Sequence, residues 1–195
     1  MKEKIKEIEE YAINNNIPIM QKDGIEFLIN YIKENNIKNI LEIGTAIGYS
    51  SIRMALVNEN IKVTTIERDK DRFEIAQNNI NSFNLQNRIN LIYKDALEVE
   101  LNDKYDLIFI DAAKAQNIKF FEKYKNNLEN NGTIITDNMY FHGLIFKDNK
   151  DIESRNLRQL MRKLKNYHKF LKENKEYNTE FIDLGDGIAI TKKNT

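Results

Sequence analysis

Three oxygen-bearing side chains follow two apolar segments of the chain. Asp111 comes directly after YDLIFI, and Asp137 and Asn138 come directly after TIIT. Carboxylate and amide oxygens are ligands that suit Mg²⁺. If the two segments are neighbouring strands, which lie about 5 Å apart, the three side chains could converge on one divalent cation. For Asp111 taken alone, capping of the following helix is an equally good interpretation.

Lys114 and two histidines complete the candidate chemistry. Lys114 lies three residues after Asp111, and a lysine in a cleft beside a metal can lose its proton and act as a general base. Taken alone, it is more simply a surface lysine. His142 follows Asn138 closely enough to border the same site, whereas His168 lies among basic residues and is expected on the surface. No Ser/His/Asp set stands out.

A glycine-containing turn precedes these residues. Residues 40–51, ILEIGTAIGYSS, indicate a strand, a tight turn and a helix. Their spacing, E-x-G-x-x-x-G, differs from the G-x-G-x-x-G of dinucleotide sites. Glu42, beside the turn at Gly44, would repel a diphosphate but suits a ligand with a cationic amino group, such as S-adenosylmethionine (SAM). A well-packed turn without a ligand is the alternative.

Glu67 is the second acidic residue that points to an adenosine ligand. It lies 24 residues after Ile43, at the end of the next predicted strand. An acidic residue about 20 residues on, at the tip of the second strand, commonly binds the ribose of such a ligand.

The elements that must position these residues alternate along the chain. Apolar runs predict strands at 38–43, 62–66, 91–93, 105–110, 133–136, 180–184 and 188–191. Periodicity and flanking residues predict helices at 3–15, 22–35, 52–57, 69–81, 115–129 and 152–173. We expect Gly132 to end the helix at 115–129. This order predicts an α/β fold with a mostly parallel, doubly wound sheet and a C-terminal antiparallel hairpin around Gly185-Asp186-Gly187.

Composition limits the class of protein. The chain has 195 residues, enough for one domain at 1–195, with N-terminal helices at 1–36 and an α/β core at 37–195. It has no cysteine, which excludes disulfides, thiolate catalysis and cysteine-zinc sites. No apolar run approaches the ~20 residues of a membrane span, and MKEKIKEIEEY lacks a signal-peptide core. We therefore expect a cytoplasmic protein that does not contact membranes.

The charge is zero overall but unevenly distributed. Residues 144–175 contain ten Lys or Arg and four Asp or Glu, a net +6, so the remainder carries −6. A basic segment of this kind can bind a polyanion, although a solvated helix face is the simpler interpretation.

The motifs ILEIGTAIGYSS, TIERD, KDA, IFIDAAKAQ, TDN and GDGIAI together resemble one family. The chain is similar, over nearly its whole length, to class I SAM-dependent O-methyltransferases of the metal-dependent catechol and caffeoyl-CoA type. The resemblance implies a Rossmann-like fold. NNNIPIM, DNMYFHG and the segment RNLRQLMRKLKNYHKFL look most like the bacterial tRNA methyltransferases that convert 5-hydroxyuridine to 5-methoxyuridine at the wobble position.

The resemblance implies a role for each matching residue. It implies Mg²⁺, or another divalent cation, on Asp111, Asp137 and Asn138, with Lys114 and Asp111 as the catalytic residues. The residues implied to bind SAM are Met20, Glu42, Gly44, Ser50, Glu67, Asp95, Ala96 and Asp111. Family members are commonly dimers, so a homodimer is expected.

Two substrate classes fit this chemistry. A catechol and 5-hydroxyuridine both place a hydroxyl beside a second oxygen, so one metal geometry could serve either. The favoured substrate is the tRNA anticodon loop, and the alternative is a catechol or hydroxycinnamoyl ester. A nicotinamide oxidoreductase is disfavoured by the turn spacing, and a non-catalytic RNA-binding module stays open. The residues expected to contact tRNA are Arg155, Arg158, Arg162, Lys163 and Lys165.

Overall fold

Within residues 1–194, seven strands form one sheet in the order β3-β2-β1-β4-β5-β7-β6. The computed structural model describes residues 1–194, apart from the side chain of Asn149, and Thr195 lies outside it. The strands are β1 (Asn39–Ile43), β2 (Lys62–Glu67), β3 (Ile89–Tyr93), β4 (Tyr105–Ile110), β5 (Leu128–Thr136), β6 (Tyr177–Ile182) and β7 (Ile188–Lys193).

The sheet is parallel from β3 to β5 and antiparallel at its end. β7 runs against both β5 and β6. The central strand β4 is buried on both faces, since Leu107, Ile108, Phe109 and Ile110 are all inaccessible to solvent. Continuous apolar strands of this kind need helices on both sides. The predicted doubly wound sheet with its antiparallel hairpin is therefore confirmed.

In the described part of the chain, six α-helices cover the sheet, each through its apolar side. In α6 the buried residues are Met161, Leu164, Tyr167 and Leu171, which follow helical spacing. No helix within residues 1–194 is both long enough and apolar enough to span a bilayer. The helices are α1 (Lys2–Asn14), α2 (Lys22–Glu34), α3 (Tyr49–Ala55), α4 (Lys70–Ser82), α5 (Asn117–Tyr124) and α6 (Arg155–Lys172).

The predicted helix at 115–129 is wrong at its end. α5 stops at Tyr124, and β5 already begins at Leu128. β5 contains a bulge, because Tyr105 pairs with Leu128 whereas Leu107 pairs with Thr133. Gly132 lies in that bulge rather than at a helix end, and a side chain there would overlap Leu128. The strand predicted at 133–136 ends at the observed residue but begins five residues earlier, at Leu128. The remaining predicted elements begin and end within three residues of the observed ones.

The strand register brings the carboxyl ends of four parallel strands together. Ile43 pairs with Ile66 on one side and with Ile110 on the other. Ile110 in turn pairs with Thr136. The next residues along these strands are Gly44, Glu67, Asp111 and Asp137, which therefore lie along one edge of the sheet.

Candidate active site

The turn after β1 passes very close to the end of β4. Gly44 has φ +100° and Gly48 has φ +83°, a region that glycine enters freely. The amide groups of Gly44 and Thr45 both donate to the carbonyl of Ile66, at 3.1 and 3.3 Å. Any side chain at Gly44 would overlap the carbonyl group of Asp111. The first glycine is therefore required for this approach.

Glu42 lies beneath that turn and is completely buried. Its carboxylate accepts hydrogen bonds from the hydroxyl groups of Ser50, Ser51 and Thr65. Burial raises the pKa of Glu42 from 4.5 to about 7, the three hydroxyls oppose that rise, and the charge of Asp111 adds to it. Glu42 thus joins β1, β2 and the start of α3. Direct contact of Glu42 and Ser50 with a cofactor stays a prediction.

Glu67 holds the same turn from the side of β2. Its carboxylate accepts from the amide of Ala46 at 2.8 Å and from the amides of Arg68 and Asp69, both at 2.9 Å. The side chain of Glu67 therefore lies between the glycine turn and the start of α4. This is the position at which a ribose would meet the sheet edge in such folds.

The remaining residues predicted to bind SAM are Asp95, Ala96 and Met20. Asp95 caps a short 3₁₀ helix by accepting from Leu97, and its other oxygen accepts from Arg68 at 3.2 Å. Ala96 is buried, and its carbonyl accepts from the hydroxyl of Tyr124. Met20 is buried in the connector before α2. Their roles in cofactor binding stay predictions.

Two carboxylates meet at the ends of β4 and β5. Asp111 and Asp137 repel each other, and burial together with that repulsion raises the pKa of Asp137 from 3.8 to about 7. The ammonium group of Lys114 lies 2.8 Å from an Asp111 oxygen and is only 10% exposed. Lys114 is thus a largely buried partner of Asp111, and its interpretation as a plain surface lysine is wrong.

Asn138 turns its side chain toward Asp186, a buried carboxylate in the β6–β7 turn. The Asn138 Nδ2 atom donates to Asp186 Oδ2 at 3.4 Å. Because the amide nitrogen is used in this way, the Asn138 oxygen is available to another partner. Asp186 was predicted only as part of a hairpin turn, and its role at the site was missed. The position of the acid between two glycines was the signal that could have found it.

The backbone after β5 has an unusual conformation. Asn138, Phe141 and His142 have φ values of +55°, +47° and +55°, which side chains rarely adopt and which the surroundings must enforce. The Asp186 turn supplies part of that support, since the amides of Met139 and Tyr140 donate to the carbonyls of Gly187 and Asp186. The amide of His142 also donates to the Asp186 carboxylate.

The two histidines lie in different environments. The ring of His142 is largely exposed, with Nδ1 at 3.8 Å from Asp186, so His142 borders the site as predicted. His168 is not a free surface residue. Its Nε2 lies 2.8 Å from the carbonyl of Met139, its ring stacks on Phe181, and burial lowers its pKa. The sequence offered no signal for these distant contacts.

The basic residues of α6 form a stripe on its solvent side. Their spacing alternates between three and four residues, which keeps them on one face over about 21 Å. Arg158 donates to the carbonyls of Ile152 and Glu153, and Lys165 donates to that of Lys147, so these two also fasten the preceding loop. Lys163 is exposed beside the stripe. We call this set the α6 stripe; its members are Arg155, Arg158, Arg162, Lys165 and Lys169.

The donor set of Asp111, Asp137 and Asn138 fits a hard divalent cation. The carboxylates of Asp111 and Asp137 lie close enough to repel each other, and the ammonium group of Lys114 partly offsets their negative charge. The side-chain oxygen of Asn138 is available because its nitrogen contacts Asp186. Within residues 1–194 there is no group of three or more His, Cys, Asp or Glu arranged to hold a metal. The candidate site has two acids and one amide, a set that suits Mg²⁺ with water completing the shell.

Comparison with known proteins gives one consistent result. A family model described as O-methyltransferase matches residues 1–194. The caffeoyl-CoA O-methyltransferase of Populus kitakamiensis is 28% identical over 98% of this chain and 86% of that protein. The catechol O-methyltransferase of Niastella koreensis is 33% identical over 57% of this chain and 54% of that protein.

Solved structures agree with these relatives. A Staphylococcus aureus protein, provisionally named a caffeoyl-CoA O-methyltransferase, is 42% identical with a TM-score of 0.93, covering 97% of this chain and 92% of that chain. An O-methyltransferase from Bacillus cereus, crystallised with S-adenosylhomocysteine (SAH), is 23% identical with a TM-score of 0.83, covering 98% and 91%. The second match shows the Rossmann-like methyltransferase fold.

Proposed function

Because the chain belongs to the O-methyltransferase family, we propose that it transfers a methyl group from SAM to a hydroxyl that has a second oxygen beside it. One observation carries this proposal. Asp111 and Asp137 follow paired strands directly beside the glycine turn, and Lys114 contacts Asp111. A methyl donor in the turn and a hydroxyl at the acidic pair would therefore be neighbours.

SAM is the methyl donor that the sheet edge suits best. Its sulfonium and amino groups are cationic, and the carboxylates of Glu42, Glu67 and Asp111 surround the turn. A diphosphate would be repelled by the same groups. The Bacillus cereus relative binds SAH, the product that SAM leaves after methyl transfer.

A divalent cation bound by Asp111, Asp137 and Asn138 would lower the pKa of an adjacent hydroxyl and fix its position. Lys114 would accept the hydroxyl proton or stabilise the oxygen anion that its loss leaves. The glycine turn and Glu67 would hold the donor so that the methyl carbon lies about 3 Å from the attacking oxygen, in line with the carbon–sulfur bond. The new oxygen–carbon bond would form as the carbon–sulfur bond of SAM breaks, which releases SAH.

The first substrate class that we propose is a small catechol-like or hydroxycinnamoyl compound. The support comes from the named relatives, a caffeoyl-CoA and a catechol O-methyltransferase. Such a compound presents two neighbouring oxygens on a flat ring. The loop after Asn138 offers flat partners at the mouth of the site, since Phe141 and His142 lie there with ring centroids 5.6 Å apart.

A tRNA wobble uridine is the second candidate, and the α6 stripe favours it. Arg155, Arg162 and Lys169 are exposed on one face of α6, where they could contact phosphates. Phe146, in the loop before α6, is 73% exposed, and an exposed aromatic ring can stack on an unpaired base. In 5-hydroxyuridine the 5-hydroxyl adjoins the C4 carbonyl, which supplies the same pair of oxygens.

Parallel assays separate these candidates. The protein is incubated with SAM and Mg²⁺ together with catechol, phenol, or tRNA that carries 5-hydroxyuridine, and products are identified by mass spectrometry. Methylation of catechol but not of phenol supports the first candidate, and 5-methoxyuridine in tRNA supports the second. Failure to methylate either substrate with paired oxygens would overturn both.

A charge-reversal variant serves as the matched control. Replacing Arg155, Arg162 and Lys169 with glutamate should leave catechol methylation within about twofold of wild type, because these side chains are exposed away from the acidic pair. The same variant should lose tRNA methylation if phosphate contacts on α6 are required, since each neutralised phosphate contributes to affinity in a salt-dependent way.

Several expectations stay proposals at this stage. A single domain is supported by the packing of α1 and α2 into the same hydrophobic core as β1 and β2. We also propose that the protein is a cytoplasmic homodimer and that the cation is Mg²⁺.

A further inference from the structure

Two adjacent residues of α6 bind the chain on either side of the proposed metal ligands. The hydroxyl of Tyr167 lies 2.9 Å from the hydroxyl of Thr136, and Nε2 of His168 lies 2.8 Å from the carbonyl of Met139. Thr136 and Met139 are the residues that immediately flank Asp137 and Asn138. Adjacent residues of α6 thus form hydrogen bonds to both ends of the segment 136–139.

Both contacts are well supported by their surroundings. Tyr167 and Thr136 are each about 1% exposed, so their hydrogen bond forms away from water. The ring of His168 stacks on Phe181 of β6, with ring centroids 4.8 Å apart and planes inclined by 12°. A carbonyl only accepts, so Nε2 of His168 must carry the hydrogen. Packing therefore fixes both side chains before any ligand binds.

We propose that Tyr167 and His168 are positioning residues that hold Asp137 and Asn138 in the geometry required to bind a divalent cation. This inference rests on the proposed metal site. Asn138 is in the left-handed region, and His142 four residues later is too, so this segment would relax if it were not held. Asp186, in the β6–β7 turn, restrains this segment through Asn138 and His142. Tyr167 and His168 restrain it from α6.

The apolar and basic residues of α6 lie on different sides of the helix. The apolar side of α6 fixes the metal segment, whereas the α6 stripe lies on the solvent side of the same helix. A ligand that shifted α6 would therefore change the geometry at Asp137 and Asn138. Tyr167 and His168 touch neither the proposed substrate nor the cofactor, so their effect is transmitted through the backbone.

Four variants test the inference through binding of Mn²⁺, followed by electron paramagnetic resonance on the full chain. Tyr167→Phe removes one hydrogen bond and keeps the ring. His168→Phe removes the other and keeps the stacking on Phe181, whereas His168→Gln keeps a donor at a similar reach. Tyr177→Phe is the control, because it removes a hydroxyl from another Tyr in the same core.

The expected result is selective. Tyr167→Phe and His168→Phe should each weaken Mn²⁺ binding by about fivefold, the value of one ordinary hydrogen bond. His168→Gln and Tyr177→Phe should stay within about twofold of wild type, and all variants should bind SAH like wild type. If Tyr167→Phe and His168→Phe bind Mn²⁺ as wild type does, the inference is overturned. If wild type itself binds no Mn²⁺, the proposed metal site fails and the inference fails with it.

Discussion

The side-chain amide of Asn138 donates to the carboxylate of Asp186, 48 residues further along the chain. This hydrogen bond uses the side-chain nitrogen of Asn138 and leaves its oxygen for another partner. Outer partners of this kind orient metal ligands, and their loss typically costs 10- to 100-fold in metal affinity or activity.

Asp186→Ala should therefore raise the Mg²⁺ concentration needed for half-maximal methyl transfer by about tenfold. The measurement is SAH formation across a Mg²⁺ titration. Asp183→Asn is the matched control, since Asp183 is exposed in the same turn and should behave as wild type. An unchanged Mg²⁺ requirement in Asp186→Ala would show that Asn138 is oriented by something else.

Lys114 should matter for catalysis rather than for cofactor binding. Its ammonium contacts Asp111 at 2.8 Å, at the edge where the hydroxyl would react. Lys114→Met should lower kcat by about 100-fold or more, while SAH affinity measured by calorimetry stays within about twofold. Lys119→Met, on the exposed side of α5, is the control. A Lys114→Met enzyme that keeps half of its kcat would remove Lys114 from the mechanism.

Alanine variants of Gly44 and Gly143 can be compared to test the close approach of the β1 turn to Asp111. Both have positive φ, so alanine strains the backbone at either position by about 1 kcal/mol. Alanine at Gly44 also overlaps the carbonyl of Asp111, whereas Gly143 faces open space. Gly44→Ala should lower the melting temperature more than Gly143→Ala does, and should abolish stabilisation by SAH. Equal melting temperatures for the two variants would contradict the close approach.

Glu42 should make the metal-free protein less stable as pH rises. Its pKa is raised by burial from 4.5 to about 7, so the folded state holds its proton more tightly than the unfolded state. Stability should thus be highest below pH 4.5 and fall through pH 7, by about 3 kcal/mol for this group. Urea unfolding in EDTA at several pH values measures the effect.

Glu42→Gln should flatten that pH dependence, because glutamine does not titrate. Glu129→Gln changes an exposed carboxyl and should keep the wild-type slope. If Glu42→Gln and wild type lose stability equally between pH 5 and pH 7, the raised pKa of Glu42 is wrong.

The sheet and the candidate acids could be predicted because the signals are local. Each strand is a short apolar run, and Asp111 and Asp137 follow directly after two of them. The apolar runs do not determine the register in which neighbouring strands pair. Only the observed pairing of Ile110 with Thr136 brings the two acids to neighbouring positions.

The misplaced end of α5 and the unrecognised site residues have a different cause. The polar segment after Tyr124 has no apolar pattern, and Leu128 belongs to a strand only because it pairs with Tyr105 across a bulge. Asp186 and His168 act on residues 48 and 29 positions away, respectively. Contacts of that kind are fixed by tertiary packing. The glycines on either side of Asp186 were a local signal for that residue, whereas nothing in the sequence near His168 indicates its contact with Met139.

The most direct test of the central claim is cation-dependent methyl transfer. SAM with a radiolabelled methyl group and catechol are incubated with wild type and with Asp137→Ala, first in EDTA and then after Mg²⁺ is added back. We expect EDTA to abolish transfer in wild type, Mg²⁺ to restore it, and Asp137→Ala to be inactive in both conditions. Full transfer in EDTA, or by Asp137→Ala, would contradict a metal-dependent site at the ends of β4 and β5.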